Sequence, residues 1–171
     1  MRHRLPTLML LICLSAAFSA QTDQWKQYKS GAGNFSALFP GEPQDTVNSE
    51  SPTMQSHTLM AVQKPSGYMV VYTHIASEQK VDEVTYQLFK EGFLKQLPNC
   101  EVKREEAPSP GLHGYIGHRY LLNCGTLTLA GNLYWGKHYA YGVMGTYPAN
   151  VSEPANLKRF LDSFILLDAG S

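Results

Sequence analysis

Residues 114–147, GYIGHRYLLNCGTLTLAGNLYWGKHYAYGVMGTY, alternate in side-chain character over three stretches separated by short glycine-bearing segments. Such a run predicts three consecutive antiparallel strands, and a meander of this kind needs other elements to cover its faces. With Asn123-Cys124-Gly125-Thr126 as the first loop, Leu122 lies opposite Leu127 and Tyr120 opposite Leu129. With Gly136-Lys137 as the second, Leu133 lies opposite Ala140. One face then carries Ile116, Tyr120, Leu122, Leu127, Leu129, Leu133, Trp135 and Met144, and reads as buried. The other carries Tyr115, Arg119, Leu121, Thr128, Tyr134, Tyr139, Tyr141 and Val143, a mixture that reads as partly covered.

The first twenty residues, MRHRLPTLMLLICLSAAFSA, run basic, then apolar, then small, the order of a secretory leader. The apolar part is too short to span a bilayer and no second such run follows, so the expected product is exported and not transmembrane, periplasmic or extracellular. Cleavage is placed before Gln21, with cleavage after Ser19 as the alternative, since Phe18 is bulky where a small residue is preferred. A lipid anchor on Cys13 would need a small residue at Ile12. The remaining residues, 21–171, read as one globular domain. The chain is 43% hydrophobic and 16% charged, with 14 basic and 14 acidic side chains, which gives no basic face for nucleic acid.

Removal of the leader leaves two cysteines, Cys100 and Cys124, in an oxidising compartment, and a disulfide between them is expected. Closing that loop stabilises the fold by roughly 3.5 kcal/mol in the chain-entropy account. The cysteines show no CxxC spacing, so neither redox chemistry nor a zinc knuckle is indicated.

Ahead of the meander, residues 25–30 and 34–39 read as strands around Gly31-Ala32-Gly33, and Pro40-Gly41-Glu42-Pro43 turns the chain. Residues 42–52 are polar and begin as an edge strand or loop. Residues 56–63 and 68–75 form a second hairpin around Lys64-Pro65-Ser66-Gly67. A helix is predicted over 82–97, with Asp82 as N-cap, Pro98 as stop, and Tyr86, Phe89, Phe93 and Leu97 as its apolar stripe. Val84 and Leu88 lie off that stripe, which predicts contacts on two sides. Residues 101–106 read as a charged edge strand and 107–111 as a loop. A second helix starts at Pro154, with Leu157, Phe160, Leu161 and Phe164 directed at the sheet.

The stretches WKQYKSGAGNFSALFPGEP and FLDSFILL, with the order hairpins, helix, edge strand, meander, helix, resemble small exported bacterial proteins of a PsbP/Mog1-like type. The resemblance implies an α+β fold: an antiparallel β-sheet of about six to eight strands with helices packed on its faces. It also implies action by binding proteins or supporting assemblies, and it assigns no residue a role.

Side chains that could carry chemistry are sparse. There is no GxSxG and no HExxH, and no cofactor motif. His113 and His118, with Glu101 or Glu105 nearby in sequence, invite a metal site; a hydrogen-bonded core histidine at position 118, opposite Gly131, is the better account. Tyr134, Tyr139 and Tyr141 form a candidate docking surface for protein or carbohydrate, unless a helix covers them. Sequons stand at Asn34 and Asn150. The resulting expectation is a non-catalytic binding or assembly module of the cell envelope, whose partner is another protein or envelope component. An envelope hydrolase or metal-dependent enzyme is the alternative.

Overall fold

A computed structural model describes residues 25–50, 53–108 and 111–167; the leader and its cleavage point lie outside them. Chain order is β1 (Trp25–Ser30), β2 (Phe35–Pro40), β3 (Gln44–Glu50), β4 (Met54–Gln63), β5 (Ser66–Ile75), α1 (Glu83–Lys95), β6 (Glu101–Glu106), β7 (Ile116–Cys124), β8 (Leu127–Trp135), β9 (Tyr139–Pro148), α2 (Ala155–Asp162) and β10 (Ile165–Leu166). Seven strands form one antiparallel sheet in the order β3-β4-β5-β9-β8-β7-β6, and β1-β2-β10 form a second, smaller one.

The meander is present as β7, β8 and β9, with its faces as the alternation predicts and its register shifted. Leu122 pairs with Leu129, Tyr120 with Gly131, His118 with Leu133, and Leu133 with Gly142. Both turns differ from the sequence reading. The first is tighter, because Gly125 takes φ +73 and lets Cys124 pair with Leu127 across two residues. The second is wider, because its backbone is engaged elsewhere: His138 O accepts from Ile75 N and Lys137 O from Gln79 N. Each shift amounts to two residues, so the side-chain period of two keeps every residue on its assigned face.

Both faces of the meander are cores. On one, Tyr120, Leu122, Leu129, Leu133 and Met144 are buried with Tyr86 of α1, while Leu127, at the turn, remains 42% exposed. On the other, expected to be only partly covered, lies the larger core. Tyr134, Tyr141 and Val143 are buried there with Phe35, Phe39, Leu157, Phe160 and Phe164. The cover is the small sheet together with α2, and each buried phenylalanine contributes about 2 kcal/mol by leaving water. Tyr141 also donates its hydroxyl to Gly33 O at 2.8 Å, which fixes the β1–β2 turn to the centre of the large sheet.

Helix α1 begins where the sequence places it. Thr85 N donates to Asp82 Oδ1 at 2.9 Å and Asp82 N donates to Thr85 Oγ1 at 3.3 Å, a reciprocal capping box. Val84 and Leu88 are not contacted on a second side; they are 69% and 66% exposed. Cys100 and Cys124 are joined by a disulfide, which ties the chain after α1 to the end of β7.

Gly131 sits between Tyr120 and Met144 in the cross-strand row, where a Cβ would stand 2.1 Å from Val143 O and 2.6 Å from Met144 Cα. Backbone atoms cannot yield as a flexible side chain can. Gly131→Ala is therefore expected to cost about 3 kcal/mol, read as a lowered midpoint in chemical denaturation with the far-ultraviolet spectrum retained.

Candidate functional site

The α1 side of the large sheet is only half covered. Helix α1 packs on β7 and β8, and the same face of β3, β4 and β5 lies open beside it. A groove of about 780 Å³ runs along this boundary. Its wall is α1, through Leu88, Phe89, Gly92, Phe93 and Gln96. Its floor is two cross-strand rows, Ser56–Thr73–Ala140 and Thr58–Val71–Gly142, and Trp135 extends the first. Asn48, Thr53, Met54, Ile75, Ser77 and Gln79 complete the rim.

Each part follows from local sequence. Strand alternation sends Ser56, Thr58, Val71 and Thr73 to this face and Leu59, Ala61, Val70 and Tyr72 into the opposite core. Wall and floor are close at Gly142, where a Cβ would stand in ordinary contact with Phe93 Cε2 at 3.5 Å. Phe89 and Trp135 face each other with ring centroids 5.2 Å apart. The Trp135 indole is held by donation from Nε1 to Lys80 O at 3.0 Å. The floor hydroxyls are cross-linked, Ser56 to Thr73 at 3.1 Å, and Asn48 Nδ2 donates to Thr58 Oγ1 at 2.7 Å.

None of the described side chains lining the groove ionises. Its hydroxyls therefore have no lining imidazole or carboxylate to activate them. The groove can present aromatic and aliphatic surface on one side and hydroxyl and carboxamide groups on the other.

Titratable groups gather instead at the far edge of α1, against β6 and β7. Glu105 Oε1 accepts from Tyr120 OH and from His118 Nδ1, each at 2.8 Å, with Lys90 Nζ at 3.4 Å. Tyr120 has one proton and gives it to Glu105, so the 2.8 Å contact between Tyr86 and Tyr120 runs from Tyr86 to Tyr120. Burial pushes both tyrosines well above the ordinary phenol range. Desolvation also raises Glu105, but the hydrogen bonds from Tyr120 and His118 and the charge of Lys90 outweigh it and hold the carboxyl below its ordinary value. The hydroxyls of this network are the two phenols.

His118 is hydrogen-bonded, as the sequence reading expected, but it stands opposite Leu133 rather than Gly131 and is half-buried rather than in the core; its partner is Glu105, and Tyr86 lies 4.9 Å from its ring. His113 lies in the loop before β7, outside the network, and Glu101 pairs with Lys103. Among the described residues, no three of His, Cys, Asp and Glu are grouped to hold a metal ion. The tyrosine docking surface is a correction. Tyr134 and Tyr141 are 3% and 0% exposed beneath the small sheet and α2, Tyr134 stacked on Phe164 and Tyr141 edge-on to Phe35 and Phe164, and Tyr139 is half-buried against Tyr141. The face bearing them needed cover, and residues 25–40 and 155–166 supply it. The sequon at Asn34 includes buried Ser36, whereas Asn150, Val151 and Ser152 are exposed.

The groove was not assigned from sequence. Its signal is the row of small polar residues, Ser56, Thr58 and Thr73, on a face that would otherwise be apolar, together with unpartnered Leu88 on the facing helix. Comparison of the chain with protein-family models, curated proteins and solved structures returns no match.

A depressed Glu105 carboxyl contributes stability that is complete above its unfolded value of about 4.5 and is lost as pH falls through the folded value. Glu105→Gln is expected to be less stable than wild type at neutral pH. The difference should shrink steadily below about pH 4.5, measured by denaturant unfolding across the acid range.

Proposed function

We propose that this protein is an exported, non-catalytic binding module of the cell envelope, and that the groove between α1 and the β4–β5 floor is its working surface. The observation that carries this reading is the lining: among the described residues it mixes apolar and hydrogen-bonding groups, none of which ionises. Ligand pockets commonly combine an apolar wall with a few placed polar groups, and about 780 Å³ falls within their usual size range. The leader-like first twenty residues and the Cys100–Cys124 disulfide support export. Among the described residues no helix is long and apolar enough to cross a membrane. An antiparallel sheet with helices on both faces fits the PsbP/Mog1-like reading, in which binding is the common mode of action.

Gly92 provides the test, because it lies in the groove wall and a Cβ there would meet open space. Replacing a mid-helix glycine also favours the helix, by up to about 1 kcal/mol for alanine. Gly92→Phe should therefore fill the groove while keeping or raising the melting temperature. Neutral fractions of the host envelope would be titrated into isotope-labelled protein. Amide shifts at Gly142, Thr73 and Gln79 that vanish in Gly92→Phe are the expected result. Shifts scattered elsewhere, or groove shifts unaffected by the variant, would contradict the proposal.

A further inference from the structure

We infer, resting on the binding reading above, that the groove takes an uncharged oligosaccharide. Its rings would lie with a C–H face against the α1 wall and their hydroxyls toward the β4–β5 floor. Three neutral occupants suit a lining without charge: an acyl chain, an extended peptide and a saccharide. The side chains separate them.

An acyl chain would strip water from Ser56, Thr58, Thr73 and Gln79 without replacing a hydrogen bond, at a cost for each group. An extended peptide binds best by adding to a free strand edge, but the floor is mid-sheet: the backbones of β4, β5 and β9 are already paired to one another. A saccharide needs no backbone edge. It offers an apolar ring face and a rim of hydroxyls, and both have counterparts here.

Phe89, Phe93 and Trp135 are half-buried rather than sealed in the core, so they retain surface for stacking. In the Ser56–Thr73 pair one hydroxyl donates to the other, leaving the second proton for a ligand. Gln79 uses its amide protons on Ser77 O and Oγ, at 3.0 and 2.9 Å, which leaves its carbonyl oxygen as an acceptor. Donors and acceptors on the floor thus face stacking surface on the wall, and no carboxylate or amine among the described lining residues selects a charged sugar.

The test uses the full disulfide-bonded protein. Cellotetraose and the N-acetylglucosamine tetramer are titrated in separately, with nonionic octanol as an apolar probe, while amide and indole shifts are followed. At least one tetrasaccharide should move Gly142, Thr73 and the Trp135 indole, with an affinity unchanged by salt. Thr73→Val, which removes one hydroxyl and keeps a strand-favouring shape, should weaken that binding about threefold to tenfold. If neither tetrasaccharide moves the groove but octanol does, the saccharide assignment is overturned and the binding module stands. If nothing moves it, the saccharide assignment is overturned, and the binding reading is decided by the envelope fractions.

Discussion

A single helix cannot cover one face of a seven-stranded sheet, and the rest of this structure follows from that mismatch. Six inter-strand spacings of about 4.8 Å make the sheet roughly 29 Å wide, while a helix with its side chains is about 10 Å across. On one face the deficit is met by two elements together, the β1-β2-β10 sheet and α2, which enclose the larger core. On the other face only α1 is available, and its stripe of Tyr86, Phe89 and Phe93, continued by Leu97 just past the helix end, settles over β7 and β8. The capping box at Asp82 and the disulfide at Cys100 hold the helix in that place from either end. What remains of the face, on β3, β4 and β5, is left to solvent.

The composition of the open half is consistent with that exposure. Ser56, Thr58 and Thr73 replace the leucines and aromatics found on the meander at equivalent positions of the same face. Met54, Met60 and Val62 keep strand-compatible shapes there with 46%, 46% and 59% of their surface exposed. Ionisable groups that do cluster, around Glu105 and His118, lie across α1 at the β6 edge, outside the groove lining. The protein therefore separates a titratable seam, which ties β6 and β7 to the helix, from a groove whose surface does not change with pH.

Local periodicity made much of this legible. Alternation over residues 114–147 assigns each meander residue to its face even though both turns differ, because a slip of two leaves parity intact. The Asp82 cap, the Tyr86 stripe, the Leu157–Phe160–Leu161 face and the cysteine pair are likewise local signals. Long-range cover is not. Whether Tyr134 and Tyr141 meet solvent depends on where Phe35 and Phe164 arrive, one from far upstream and one from the C-terminal helix region. Leu88 misleads for the same reason: its exposure is set by the width of the sheet, not by the sequence around it.

The β4–β5 half of the α1 face is open while the meander half is sealed, and the methionines distributed over that face report on it directly. Dilute peroxide oxidises thioethers according to their exposure, and mass spectrometry of peptides from the native protein resolves each site. Met54 and Met60 should oxidise first and Met144, fully buried beneath α1, last, with protection lost only on unfolding. Equal protection of Met54, Met60 and Met144 would mean that the face is covered, and would contradict the account.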